Sequence, residues 1–290
     1  MEGGLIFIVN PLSGGKDKHL LAAVIRKLCP DARLVYTERP GHGEELARSC
    51  PERTVIAVGG DGTVSEVARG IIGTDKVLGI IPRGSGDGLA LHLGLSRLPL
   101  VALEELLRGD VVPMDYALVN GRPFFCTAGM GLDAEVAWKF AGGGKKRGLK
   151  RYIDIAWRLW GRYKPDEYSI TVDGEEHSLK AVIVTVGNAN QWGNEAKIAS
   201  LASVQDGLLD VVAVKPFKSL DIPLLAAKLM DGRAHTSKKV TCFRGSDILI
   251  RRSGEGPAHY DGDPLWLGPE IHFQVVPAGL KVLVPKGRKI

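Results

Sequence analysis

Thr54-Val55-Ile56-Ala57-Val58 runs directly into Gly59-Gly60-Asp61-Gly62-Thr63, and Val64, Val67, Ala68 and Ile71 follow at helical spacing. An apolar run, a glycine turn and a 3.6-residue stripe spell strand, turn and helix. Glycine lets the backbone come close to a ligand, and the free amides at a new helix N-terminus favour an anion. An aspartate in that cradle is costly unless it serves chemistry or a metal, so the turn predicts a phosphate ligand faced by Asp61. The same residues also fit a plain turn in which Thr63 and Glu66 form a T-x-x-E capping box.

Two more turns of this kind occur. Val77 to Pro82 reads as a strand ending in Arg83-Gly84-Ser85-Gly86-Asp87-Gly88, and Leu5 to Val9 ends in Asn10-Pro11-Leu12-Ser13-Gly14-Gly15-Lys16. Ligands of open parallel sheets bind outside the carboxyl ends of the strands, where all three loops fall. Asn10, Ser13, Thr37, Gly59, Gly60, Gly62, Thr63, Gly84, Ser85 and Gly86 are therefore the candidate nucleotide set, their hydroxyls and exposed amides suiting phosphate and ribose. The G-x-x-x-x-G-K-[ST] spacing of a P-loop is absent.

With NP-x-SG near the start, GGDGT about fifty residues on and PRGSGDGLA after it, the chain resembles the diacylglycerol kinase catalytic family, which includes bacterial lipid kinases, sphingosine kinases and ceramide kinases. The likeness runs almost the whole chain through Phe124 to Ala134, Asp206-Gly207-Leu208-Leu209-Asp210 and Asp261-Gly262-Asp263. Asp87 stands where many relatives have Asn, and Asp263 is one methylene shorter than the usual glutamate. The resemblance implies an α/β N-terminal domain with a mainly parallel sheet, of the NAD kinase and diacylglycerol kinase type. A C-terminal β-sandwich domain would follow, with the active site in the cleft between them. It also implies ATP and Mg as cofactors, a catalytic aspartate at Asp61, a lipid head group held at Asp133, and a structural magnesium near Asp206 and Asp210.

Phosphoryl transfer to an alcohol needs a phosphate cradle, a divalent ion and a carboxylate that accepts the hydroxyl proton. Asp61 is the expected base. Asp261 and Asp263 flank one glycine and either hold magnesium, share the base role or form a surface turn; Asp261 is assigned to metal and Asp263 to catalysis. Asp133 equally fits a helix N-cap.

The pattern up to about Pro113 alternates strand and helix, which predicts a nucleotide-binding domain over 1–113 to which the C-terminal tail returns. Residues 114–290 are rich in β-strands and turn signals, predicting a lipid-binding sandwich. Tyr168–Val172 and Lys180–Val186 are expected to pair through Asp173-Gly174, with helices over 148–163 and 220–230 covering that domain.

The four cysteines are scattered, which suggests neither a disulfide framework nor a zinc site. No stretch approaches a spanning helix and no signal peptide opens the chain, so a cytoplasmic protein is expected. Net charge is +5, but between Lys139 and Lys164 nine basic residues face Asp154 alone, leaving the remainder of the chain three negative. Trp138, Trp157 and Trp160 lie in the same segment, and Ala141 to Lys146 is expected from its glycines to be a mobile loop. Basic residues with interfacial aromatics predict peripheral contact with the anionic inner membrane surface rather than nucleic acid; a solvated helix face is the alternative. The leading expectation is an ATP- and magnesium-dependent kinase of a lipid hydroxyl. Phosphorylation of a soluble substrate such as NAD is the nearest rival, and a nucleotide- or lipid-binding protein with little activity is another. Nothing in the sequence fixes an oligomeric state.

Overall fold

The computed structural model describes residues 4–14, 18–142 and 149–290. Gly15-Lys16 of the first loop, and Lys145, Lys146 and Arg147 of the basic segment with Gly143 and Gly144 before them, lie outside the described residues. The chain divides into two compact units, one comprising residues up to Asp115 together with Pro277–Ile290 and the other Tyr116–Val276.

The first unit alternates strand and helix in the order β1 (Leu5–Val9), α1 (Lys18–Leu28), β2 (Arg33–Tyr36), α2 (His42–Ser49), β3 (Thr54–Gly59), α3 (Asp61–Ile71), β4 (Val77–Pro82), α4 (Gly88–His92) and α5 (Pro99–Leu107). The strands pair in parallel in the order β2-β1-β3-β4. Every residue of β3 and β4 is buried, as expected of parallel strands covered on both faces. On the far side of β4 lies the end of β16 (Glu270–Val284), also parallel, with Lys281 opposite Val77 and Val282 opposite Leu78. Chain reversal occurs between β1 and β3, the switch point at which such sheets hold ligands.

Thr63 and Glu66 do not form a capping box. Gly60 is the N-cap of α3 and makes no side-chain cap bond. Glu66 instead accepts from the Gly41 and Gly43 amides at 2.8 and 3.0 Å, satisfying donors at the start of α2.

The strand β5 (Asp110–Val119) leads into the second unit. There follow β6 (Arg122–Phe124), β7 (Thr127–Gly131), α6 (Leu132–Gly142), α7 (Leu149–Trp160), β8 (Asp166–Val172), β9 (Glu175–Ala181), β10 (Ile183–Gly187), β11 (Leu209–Val214), α8 (Ile222–Met230), β12 (Val240–Gly245), β13 (Asp247–Arg252), β14 (Gly256–Tyr260) and β15 (Asp263–Leu267). One layer is six-stranded, β12-β11-β10-β7-β14-β15; in the other, β9, β8 and β13 run antiparallel beside the first part of β16. Met130, Val184, Val186, Val211 and Ala213 from the first layer share a core with Tyr168, Ile170, Ile248, Ile250 and Phe273 from the second. This is a sandwich.

The strand expected over Lys180–Val186 is two strands. β9 closes a hairpin on β8 through Asp173-Gly174, both at positive φ, while β10 lies in the other layer between β7 and β11. Val182 makes the switch: it donates to the Val214 carbonyl and accepts from the Leu132 amide, so its backbone is satisfied outside its own strand. β7, β14, β15 and α6 are elements that the sequence pattern alone does not announce.

Candidate active site

The three glycine loops of the first unit are in mutual contact. β3 and β4 pair in register up to Gly59 opposite Pro82, so both turns leave the sheet at one level. A Cβ built on Gly60 would lie 2.9 Å from the Gly84 Cα, and one on Gly84 only 2.6 Å from the Gly60 Cα. These glycines are required by each other. The first loop joins them through Asn10, whose Nδ2 donates to Thr63 Oγ1 at 3.1 Å, while its Oδ1 accepts from the Leu12 amide at 2.8 Å. Arg83 lies against Gly14 so closely that a Cβ there would fall 2.5 Å from its Nε. Gly62 is different: a Cβ there would meet nothing within 4 Å, leaving the first turn of α3 open above its free amides. Thr37 follows β2, is buried, and donates its amide to Val9. Ser13 donates to the Asn10 carbonyl, and Ser85 is exposed beside Gly86.

Asp61, the first residue of α3, directs its carboxylate to the start of α4. Its Oδ2 accepts from the Asp87 amide at 2.9 Å and its Oδ1 from the Gly88 amide at 2.7 Å. Burial raises its pKa, while those amides and the charge of Arg97 oppose the rise. Asp87 lies next to it in the left-handed region, φ 54°, with Oδ1 accepting from the Gly84 amide at 2.8 Å. Burial, then the neighbouring Asp61 charge, pushes its pKa up to about 6. Asn and Asp are the residues that tolerate this backbone and make this local bond, so Asp87 keeps the job that Asn would do in the turn and adds a second acid.

The second unit holds the other candidates. Asp261-Gly262 forms the two-residue turn of the β14–β15 hairpin, with φ of 47° and 84°. A type I′ turn requires positive φ at both positions, and D-G supplies it. The carboxylate of Asp261 turns inward and accepts from the Phe125 and Cys126 amides at 2.9 and 2.8 Å. Asp263 is exposed at the start of β15. The two acids of D-G-D thus do different things.

Asp133, at the start of α6, is buried and paired with His259 across 2.9 Å. Asp133 Oδ1 and His259 Nδ1 are enclosed and have no partner among the described residues. Sequence reasoning missed His259; its only signal was its place two residues before Asp261, on the inward phase of an alternating strand. The expected metal pair fares differently. Asp206 and Asp210 both face Arg244, whose guanidinium approaches them at 2.9 and 3.3 Å. Among the described residues, no group of three or more His, Cys, Asp or Glu could hold a metal ion.

Comparison with known proteins agrees with this architecture. The diacylglycerol kinase catalytic domain model matches residues 4–119, and the YegS C-terminal NAD kinase beta sandwich-like domain model matches residues 126–284. The chain belongs to the lipid kinase family that these two domains define. A Chromohalobacter salexigens protein named "Probable lipid kinase YegS-like" is 31% identical over 260 residues, covering 85% of this chain and 82% of the relative. The diacylglycerol kinase of Bacillus subtilis is 26% identical over 268 residues, covering 88% of each. A Synechocystis relative of unassigned function is longer, and the chain spans 54% of it. The crystal structure of a diacylglycerol kinase from Bacillus anthracis superposes with a TM-score of 0.75 at 20% identity, over 97% of both chains, and supports the fold.

Gly60→Ala and Gly84→Ala should each lower the thermal midpoint by several degrees, because backbone must move, whereas Gly62→Ala should leave it unchanged or slightly raised. Differential scanning calorimetry checks the contrast. Asp87→Asn should stabilise the protein at neutral pH and do little near pH 4. With the folded pKa near 6 and the unfolded value near 4, both states hold the proton below pH 4. Stability is lost as pH rises between these values, and the full penalty persists above 6. Removing it should yield on the order of 2 kcal/mol at pH 7–8, measured as a pH-dependent gain in urea denaturation.

Proposed function

We propose that this protein transfers the γ-phosphoryl group of ATP, with magnesium, to the hydroxyl of a lipid of the diacylglycerol or sphingoid type. The observation that carries this reading is the gathering of three loops around the open first turn of α3, in a chain whose two domains are those of lipid kinases. Amides at Gly62 and Thr63 suit an anion; Asn10, Gly59, Gly60 and Gly84 pack at that turn, and Ser13, Thr37, Ser85 and Gly86 complete the proposed nucleotide set. In this reading the magnesium arrives with the nucleotide, since that ion takes most of its octahedral shell from phosphates and water. When bound, that ion neutralises charge on the phosphates.

Asp61 serves as the base in this reading. Two amides fix its orientation, and each carboxylate oxygen keeps a lone pair for the acceptor hydroxyl. Burial lifts its pKa toward the range in which a base works well near neutral pH. Asp263, the exposed acid of the hairpin, is the second catalytic candidate. Asp133 is proposed to meet the polar head of the acceptor, its free Oδ1 and the neighbouring His259 Nδ1 supplying an acceptor and a group of either sense.

Membrane contact is part of the same proposal. No helix among the described residues is long and apolar enough to cross a membrane. On α7, Ile155, Ala156, Leu159 and Trp160 pack inward, and Trp160 stacks on Phe217 at 4.2 Å. Trp157 is exposed on the other side, as are Arg158, Arg162 and Lys164, and Trp138 is partly exposed against Trp266. Exposed tryptophan amid basic residues is suited to the interface of an anionic bilayer.

Incubation with ATP, magnesium and a panel of diacylglycerol, sphingosine, ceramide and NAD tests the assignment; transfer to NAD with none to lipid would replace it. Asp61→Asn should cut turnover at least 10²-fold with little change in nucleotide affinity, and a near-normal rate would remove Asp61 from the role. For membrane contact, the triple variant Trp157→Ala, Arg162→Gln, Lys164→Gln should sediment several-fold less with anionic vesicles at low salt and keep its activity on detergent-dispersed lipid. Unchanged sedimentation would make this a solvated helix face.

A further inference from the structure

The resemblance places a structural magnesium at the D-G-L-L-D loop, and the side chains around that loop do not fit one. Arg244 lies directly across from Asp210 in the β11–β12 ladder. Its Nε donates to Asp210 Oδ2 at 3.3 Å, and one terminal nitrogen donates to the Leu201 carbonyl at 2.8 Å and lies 2.9 Å from Asp206 Oδ2. A magnesium ion would need its oxygens about 2.1 Å from a single point in octahedral array. Here three oxygens from the Leu201 carbonyl, the loop acid and the strand acid are instead spread along the planar fork of a guanidinium. Asp206 spends its other oxygen on the Leu208 amide at 3.0 Å, which closes the turn before β11.

From this arrangement we infer that Arg244 does the work of the metal: it is a built-in cation that neutralises Asp206 and Asp210 and ties the 201–206 segment to β11 and β12, so that this loop needs no divalent ion. The arrangement suits arginine specifically. Its five donors lie in one plane and can serve three acceptors at once, and its charge is fixed at any physiological pH, whereas lysine would offer a single point charge. Asp210 is buried, so its charge requires a partner, and Arg244 is the cation that reaches it. Magnesium would then be required for turnover through the nucleotide and be dispensable for the fold.

The test is thermal stability of the nucleotide-free protein, a readout that does not depend on whether the protein phosphorylates lipid. Wild type should melt within about 1 °C in EDTA and in excess magnesium, whereas Arg244→Ala should fall by at least about 5 °C through two uncompensated carboxylates. The triple variant Arg244→Ala, Asp206→Asn, Asp210→Asn removes those charges and should recover at least half of the loss; it also serves as the soluble comparison if the single variant does not fold. A wild-type midpoint that drops several degrees in EDTA, with that sensitivity abolished by Asp206→Asn, would overturn the inference. So would an Arg244→Ala protein as stable as wild type, or a triple variant no better than the single one.

Discussion

Contact of one backbone with another, between Gly60 and Gly84, is the constraint on which the first unit depends. Parallel register brings β3 and β4 to the same level, and two turns emerging side by side can occupy that space only without side chains. Once they touch, the start of α4 lies within reach of Asp61, and its amides take that carboxylate. Asn10 and Arg83 then connect the loop after β1 to the same assembly. Most of the glycines in GGDG and RGSG are therefore explained by packing inside the protein, and Gly62 is the position left open for something outside it.

A second theme is how the chain houses carboxylates. Asp61 and Asp261 each accept two backbone amides, Asp133 faces an imidazole, and Asp210 faces a guanidinium. Amide donors favour the charged form and orient it without adding a mobile counter-charge, while burial works in the opposite direction. The balance differs from place to place. At Asp61 and Asp87 burial wins, and two acids whose affinity for protons is raised lie side by side where two turns meet. Asp210 also has a raised pKa through burial, against the pull of Arg244.

The alternation of strands and helices before Met114 was legible because parallel strands buried on both faces are continuous apolar runs with glycine turns at their ends. The paired loops of the candidate site were legible for the same reason. Partners supplied from far along the chain were hidden. His259 lies 126 residues from Asp133 and Arg244 lies 34 from Asp210, and no local pattern links them. Glu66 fitted a capping box by spacing, yet the neighbouring helix offered its unpaired amides and took the carboxylate. The switch of layers at Val182 was invisible because no glycine, proline or other turn residue separates the two strands, and only the exchange of hydrogen-bond partners marks the break.

The late strand β16 gives the first unit an unusual order of assembly. β4 pairs with β3 on one side and with residues of β16 on the other, and Leu280, Val282, Leu283 and Val284 are all buried. During synthesis the whole sandwich sequence is made between β4 and this partner. Domains emerging from the ribosome generally fold as units from the N-terminal end, but here the earlier-made unit must wait with β4 as an open sheet edge while the later one can close. The first unit's core is therefore completed last, and a chain truncated before Pro277 would carry the whole sandwich sequence with the first unit's sheet unfinished.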